Sequence, residues 1–376
     1  MIKFNKASIS DLEIKYVLDV MSGNSILSGD GKYTMRVYEQ FKKLFGINNM
    51  LLTTSGTTAL EMASILIDLQ EGDEVIVPSF TFSSTVNAFL LRGAKAVFCD
   101  IREDTLNIDE NLIEELITPN TKAIYAVDYA GVPCEMDKIN EIAKKYNLFV
   151  IEDAAQAVGS TYKGQYAGTL SEFGCYSFHE TKNYVMGEGG AIVLNDEKYV
   201  ERAEIIREKG TDRRNAVRGL VDKYTWHDIG SSFLPSDLLA AILSAQLDRY
   251  QEIMQKRMNI WNIYFEGLEE LEKQGKLRRP IIPRNTTHNA HMFYILMPSE
   301  EKRDKLINQL KEKGIASYFH YIPLHSAPYG LKLGNTVEML PKTKDLSSRL
   351  LRLPLYADMD VNDGEYIVKT IKSVID

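Results

Sequence analysis

Only three cysteines occur among 376 residues, Cys99, Cys134 and Cys175. They are odd in number, far apart and set in or beside apolar runs, with no CxxC spacing. That excludes a disulfide framework or a thiolate metal site and makes them reduced core residues. Basic residues are in deficit, 44 Lys and Arg against 52 Asp and Glu, for a net charge of -8. This balance opposes attraction to nucleic acid and anionic lipid and favours a small-molecule partner. No apolar run approaches the ~20 residues needed to span a bilayer, and the opening MIKFNKASIS has no apolar core behind its positive charges. A cytoplasmic protein without membrane contact is expected.

Two nucleotide-binding signatures are also missing. The Ser/Thr/Gly turn at 53–58 lacks the Gly-Lys-Ser/Thr ending of a P-loop, and no glycine-rich dinucleotide turn precedes YEQFK (38–42), whose Tyr-x-x-x-Lys spacing reads as ordinary helix. His288 and His291 have no carboxylate or Cys in ligand register, so no metal is expected. What is present is a globular composition, 44% hydrophobic and 26% charged, in a chain longer than one hydrophobic core usually serves. A large domain over 1–245 and a smaller α+β domain over 246–376, including a connecting helix, are expected.

Short apolar runs recur at 74–78 (EVIVP), 94–100 (AKAVFCD), 122–127 (KAIYAV), 147–153 (NLFVIED), 173–178 (FGCYSF) and 190–196 (GAIVLND). Each has the continuous hydrophobicity of a strand buried on both faces. Helix-like stretches at 107–117 and 135–146 lie between them, the alternation that builds a mostly parallel sheet flanked by helices. Residues 236–274 read as a long helix broken once. Beyond it, strand-like 290–297 and 315–320 bracket helix-like 300–314. An α/β sheet of this kind binds ligands at the carboxyl ends of its strands, which directs attention to the residues following each run.

Three such places carry complementary chemistry. In TTSGTTALEMASILIDL (53–69) a turn opens an amphipathic helix whose free N–H groups, from residues 55–58, suit a phosphate. In FVIEDAAQA (149–157) a buried strand ends in Glu152 and Asp153. In SFHETKNYVMGEGG (177–190) Lys182 follows the next strand. Taken together they fit pyridoxal phosphate (PLP): the helix start holds the phosphate, Asp153 faces the pyridine nitrogen, and Lys182 reaches the aldehyde carbon as a Schiff base. Phe82, in VPSFTFSSTVNA (77–88), is placed to cover a flat ring. Alone, each motif has a plainer meaning: a capped helix, an N-cap carboxylate, a surface lysine, a core phenylalanine.

The ordered motifs SGTTAL, PSFTFSSTVNA, EDAAQA, SFHETKN and GEGGAI, continued by HYIPLH (320–325), resemble the DegT/DnrJ/EryC1/StrS sugar aminotransferases over essentially the whole chain. The resemblance implies the aspartate aminotransferase-like fold type I, with a large PLP-binding domain. It implies Lys182 as the PLP-bearing lysine and proton shuttle, Asp153 on the pyridine nitrogen and Gln156 beside the phenolic oxygen. Phe82 would lie over the ring, and Ser55, Gly56, Thr57 and Ser177 would bind the phosphate. Where many members carry an Asn that reaches the partner subunit's phosphate, this chain has GSSF (230–233), placing Ser232 there. The implied reaction passes the amino group of L-glutamate through PLP and pyridoxamine phosphate to C4 of dTDP-4-dehydro-6-deoxyglucose, for surface polysaccharide, in a homodimer with shared active sites. The same chemistry on a 3-keto or UDP-linked sugar is an alternative, as is a PLP-binding regulator without turnover. Arg213, Arg214 and Arg218, in a stretch without helix or strand pattern, are expected to clamp the diphosphate. His320, Tyr321 and His325 are expected near the sugar or the donor carboxylate, and His179 near the site without an assigned task.

Overall fold

The computed structural model describes residues 1–375. Among these the strands are β1 (Met50–Thr53), β2 (Glu74–Pro78), β3 (Lys95–Cys99), β4 (Thr121–Val127), β5 (Phe149–Asp153), β6 (Thr161–Tyr162), β7 (Gln165–Tyr166), β8 (Phe173–Ser177), β9 (Gly190–Leu194), β10 (Thr286–Thr287), β11 (Phe293–Leu296) and β12 (Leu350–Leu353). The helices are α1 (Asp11–Asp19), α2 (Lys32–Phe45), α3 (Gly56–Leu66), α4 (Ser83–Leu90), α5 (Met136–Tyr146), α6 (Val200–Arg207) and α7 (Arg213–Val217). They continue as α8 (Asp237–Asp248), α9 (Tyr250–Gly267), α10 (Glu269–Lys273), α11 (Glu300–Glu312), α12 (Pro328–Lys332), α13 (Pro341–Arg349) and α14 (Val361–Val374).

Seven strands form the central sheet in the order β1-β9-β8-β5-β4-β2-β3. All run parallel except β9, which is antiparallel to both β8 and β1. The continuous apolar runs have the reason expected of them: both faces are covered. Val75 and Val77 pack with Leu60, Ala63 and Phe89 of α3 and α4 on one face. Ile76, between them, packs with Ile139 and Ile142 of α5 on the other. Toward the β1 edge, Leu52, Tyr176 and Val193 bury against Phe41 of α2 and Leu243 of α8. Each such fully buried side chain contributes about 1.5–3 kcal/mol. A second core surrounds the antiparallel pair β11–β12, where Trp261 and Tyr264 of α9, Leu306 and Leu310 of α11, and Ile367 and Ile371 of α14 meet Phe293, Ile295 and Leu353.

Several expectations change. Residues 107–117 hold only one 3-10 turn, Glu114–Leu116, because polar side chains take over local backbone bonds. Asn107 accepts from the Tyr129 N–H and donates to the Val132 carbonyl, and Asp109 accepts from the Asn111 N–H, the competition with helix that these residue types offer. The long helix of 236–274 is broken twice, at Arg249 and Leu268. Residues 315–320 form no strand, only single bridges from Ile315 to Ile2 and from Tyr318 to Arg352. The stretch carrying Arg213, Arg214 and Arg218, read as patternless, contains α7.

Candidate active site

A cavity of about 710 Å³ opens where the parallel strands end. Its walls come from the start of α3 (Ser55, Gly56, Thr57), the turn after β2 (Phe82), the end of β5 (Asp153, Gln156), the loop after β8 (Ser177, Lys182) and the second core (His291, His320, Tyr321, Arg352). Ten predicted residues, scattered over some 270 positions, are thus brought to one place.

Lys182 is half-buried, and its Nζ makes no hydrogen bond or ion pair with any described residue. Its backbone N–H is tied to the His179 carbonyl at 2.9 Å, so the loop is fixed while the amine is free. Desolvation pulls the amine down to about 8, only partly opposed by the negative charge of Asp153 and reinforced by the positive Arg352. Asp153 is buried at 5% exposure. Burial raises its pKa, offset in part by the Thr85 hydroxyl, which donates to Oδ2 at 2.7 Å, and by the Ala155 N–H, which donates to Oδ1 at 3.2 Å. Thr81 Oγ1 lies 2.9 Å from Thr85 Oγ1. With the Thr85 proton committed to Asp153, Thr81 must be the donor, giving a relay of hydroxyls aimed at the carboxylate.

The start of α3 is both a cap and a cradle. Ser55 is the N-cap: its Oγ accepts from the Thr58 N–H while the Thr58 hydroxyl answers the Ser55 N–H. That leaves the Gly56 and Thr57 N–H groups, in the first turn, without acceptors in the helix and facing the cavity. Glycine is required here by proximity: a Cβ on Gly56 would sit 2.8 Å from that of Ser177, and one on Gly190 would fall onto the Ser55 carbonyl and the Gly56 nitrogen. Gln156 accepts the Ala130 N–H at 2.7 Å and donates to the Tyr321 hydroxyl at 3.2 Å, which leaves it one N–H. Phe82 is 58% exposed, with its ring 6.2 Å from that of Tyr321. An exposed aromatic at the mouth of a cavity has a face to offer a planar ligand.

Four predicted residues are not brought in. Arg214 and Arg218 both pair with Glu204, at 2.8 and 2.9 Å, and Arg213 pairs with Glu208 at 3.4 Å; none lines the cavity. His325 is fully buried behind it, its N–H and ring nitrogen both held by Ser79 Oγ. Ser232, expected to reach the partner subunit's phosphate and not that of its own chain, is exposed and bridges to Glu208. Sequence reasoning missed Arg352, a lone charge in the apolar strand LLRL. Its guanidinium lies over the Phe4 ring at 4.8 Å, one Nη2 donates to the Phe319 carbonyl at 3.3 Å, and the Nε has no partner. The clue available was a basic residue inside a buried strand, which is seldom left without a task. His291, set aside as a metal ligand, also lines the cavity, as does His179, whose ring takes the Thr181 N–H and faces Glu188 at 3.5 Å. No cluster of three or more metal-ligating side chains occurs among the described residues.

An unpaired amine of lowered basicity, a buried carboxylate with its own donors and an open helix start form one constellation. It can hold a phosphorylated planar carbonyl compound, exchange an amine at that carbonyl and move a proton. Comparison with known proteins agrees. A model of the DegT/DnrJ/EryC1/StrS aminotransferase family matches residues 7–372. The uncharacterized protein MJ1066 of Methanocaldococcus jannaschii is 34% identical over 98% of this chain and 96% of its own length. GDP-perosamine synthase of Escherichia coli O157:H7 is 32% identical over 97% and 96%. Among solved structures, Spr1654 of Streptococcus pneumoniae, described as a sugar aminotransferase, superimposes in its PMP form with a TM-score of 0.92 at 27% identity, over 100% of this chain and 99% of that one. The chain belongs to the DegT/DnrJ/EryC1/StrS aminotransferase family.

Proposed function

From that membership we propose that the chain is a PLP-dependent sugar aminotransferase that moves the amino group of L-glutamate to C4 of dTDP-4-dehydro-6-deoxy-D-glucose. The products are dTDP-4-amino-4,6-dideoxy-D-galactose and 2-oxoglutarate. The observation that carries the aminotransferase reading is Lys182: a half-buried amine left without a partner in a cavity that also exposes a buried carboxylate and an anion-binding helix start. The dTDP sugar rests on the motif series, which most resembles that of dTDP-4-amino-4,6-dideoxygalactose transaminases.

The residues present fit PLP. Its phosphate would take the Gly56 and Thr57 N–H groups with the Ser55 and Ser177 hydroxyls, where the close approach of Gly56 to Ser177 leaves no room for a side chain. Asp153 lacks a cation of its own apart from the distant pull of Lys182, so a pyridinium nitrogen would complete it. The remaining N–H of Gln156 would meet the phenolic oxygen and Phe82 would cover one ring face. When bound, the cofactor supplies an electrophilic carbon and a ring that takes up the electron pair left by a departing proton.

Lys182 has the proton work. With its basicity lowered to about 8, roughly a quarter of the amine is neutral at pH 7.5, against about 0.1% for an ordinary lysine. It can therefore take a proton and return it without a large energetic penalty. Thr85 and Ala155 offset the burial of Asp153 in part, and its carboxylate would supply negative charge at the far end of the ring. Arg352 lies over Phe4 and lines the cavity, and its Nη1 makes no hydrogen bond with any described residue; a guanidinium so placed suits a carboxylate, and we assign it the amino donor.

A GDP-linked keto sugar is the second reading, favoured by the GDP-perosamine synthase similarity. A panel of dTDP-, GDP- and UDP-linked 3- and 4-keto sugars with glutamate, the product epimer resolved by NMR, tests both. Fastest turnover of the dTDP 4-keto sugar, to the galacto epimer, supports the first. Preference for a GDP sugar replaces it with the second, and turnover of none overturns both.

A further inference from the structure

His291 sits in the segment Asn289–Met292, which enters β11 from the cavity wall. Asn289 anchors that segment across the chain: its side-chain N–H groups reach the Gln156 carbonyl at 2.8 Å and the Val158 carbonyl at 3.1 Å, and its Oδ1 accepts the His291 N–H at 3.0 Å. Asn183, the neighbour of Lys182, closes the circuit. Its Nδ2 donates to the Asn289 carbonyl at 2.7 Å, and its Oδ1 lies 2.9 Å from His291 Nδ1.

This circuit determines a tautomer. A backbone carbonyl only accepts, so the Asn183 atom facing Asn289 must be the amide nitrogen, and the atom facing His291 must be the oxygen. An amide oxygen also only accepts. His291 therefore carries its proton on Nδ1, and Nε2 of the neutral ring has a bare lone pair. That nitrogen makes no hydrogen bond with any described residue and is not sealed from the cavity. The charged and titratable groups around it are Lys182 from the loop after β8, Arg257 from α9, whose Nη2 donates to the His291 carbonyl at 2.6 Å, His320 after Ala316–Phe319, and Arg352 from β12. Burial first, and then the positive charge of Lys182, Arg257 and Arg352, hold the imidazole well below its ordinary range, while burial drives His320 toward its neutral form as well.

A neutral acceptor in a cavity shared with a free amine, and hydrogen-bonded to that amine's chain neighbour Asn183, has one evident use. We propose that His291 is a tautomer-locked hydrogen-bond acceptor that orients the Lys182 amine through its Nε2, a positioning residue for the lysine. The two nitrogens are not hydrogen-bonded in this structure, so the contact would form as the Lys182 side chain turns: one N–H directed to His291 would leave the nitrogen lone pair toward the cavity, and Asn183 sets both the loop and the ring from a single side chain. No proton passes to His291. The proposal rests on the role assigned to Lys182 but not on the identity of the sugar.

The test uses the full chain, loaded with PLP and without it, labelled with ¹⁵N-histidine. Six histidines are few enough to resolve, and His291→Gln identifies the signal. The expected pattern is a protonated Nδ1 and a bare Nε2 that does not titrate between about pH 8.5 and 5.5. An Nε2–H tautomer, or an imidazolium forming near the ordinary midpoint, overturns the proposal. Kinetics supply the second readout, the glutamate half-reaction followed by loss of the visible cofactor absorbance, which needs no sugar. His291→Phe should slow it about 10- to 100-fold, the usual loss when an outer hydrogen-bond partner is removed, with glutamate KM unchanged. His291→Gln, which keeps an acceptor, should stay within about threefold of wild type. Equal losses in the two variants would mean that the ring only fills space, and the proposal would fall. A sugar panel without turnover, beside the expected NMR pattern, would remove the substrate assignment and leave this one standing.

Discussion

Replacing Thr85 with valine removes one hydroxyl and little volume, and it strikes the hydrogen bond that holds the Asp153 carboxylate. That bond is 2.7 Å long, buried and charge-assisted. Bonds of this type contribute about 1.5–3 kcal/mol, which corresponds to about 1–2 pH units at 1.36 kcal/mol each. The sign follows from burial. Burial already raises the Asp153 value, so its contribution to stability is fully present below the unfolded value and is lost as pH rises through the raised one. Thr85→Val lifts the value further. The empty variant should therefore be destabilised more at pH 8 than at pH 4.5, the gap growing by about 1.5–3 kcal/mol between them in urea unfolding. In the loaded enzyme the acidic limb of the glutamate half-reaction should move up by about 1–2 pH units, because the ring nitrogen's partner is protonated sooner. A stability gap independent of pH, together with an unmoved acidic limb, would refute the idea that Thr85 supports the charge rather than merely packing beside it.

Three further outcomes are expected. Lys182→Ala should abolish amino transfer while leaving the circular dichroism spectrum and unfolding midpoint close to wild type, since its Nζ holds nothing in place; sustained turnover would remove the lysine from the mechanism. Arg352→Leu should raise the KM for glutamate at least about tenfold while the amination of the keto sugar by the pyridoxamine-loaded enzyme changes less than about threefold; an equal loss in both half-reactions would count against a donor-specific contact. Gly190→Ala forces a methyl against the Ser55–Gly56 backbone and should cost about 1–3 kcal/mol and speed the release of the phosphate-anchored cofactor on dialysis. Unchanged cofactor retention would separate that glycine from the phosphate cradle.

The strands of the central sheet were legible because being buried on both faces requires an unbroken apolar run, and β2, β4 and β5 satisfy that requirement locally. Asp153 and Lys182 stood out because one ends such a run and the other lies in the loop that follows the next one, β8. β12 was not legible, since LLRL is short and carries an arginine whose burial depends on Phe4, some 350 residues away. Residues 107–117 have a helical pattern but are claimed by side-chain contacts to Tyr129 and Val132 that only the folded chain supplies. Arg213, Arg214 and Arg218 looked like a free basic cluster because nothing in the local sequence shows that Glu204 and Glu208 turn toward them. His325 and His320 have the same local character in HYIPLH, yet Ser79 takes one out of the cavity and Tyr129 holds the other within it, its hydroxyl 3.0 Å from His320 Nδ1.

The order of motifs along the chain, by itself, determined the family chemistry: a helix start able to hold an anion, a carboxylate and a lysine at the ends of successive buried strands. Each motif's residues suggest its chemistry, and their order along the chain carries the resemblance to the family. Tertiary structure alone decided which charges are free and which are spent. Lys182, Arg352 and His291 line the cavity without an ion pair to any described residue, whereas Arg213, Arg214 and Arg218 pair with Glu208 and Glu204 outside it and Ser79 holds His325 away from it. The physical reason is that hydrogen bonds and ion pairs are satisfied over a few ångströms in space. Sequence distance does not measure that separation.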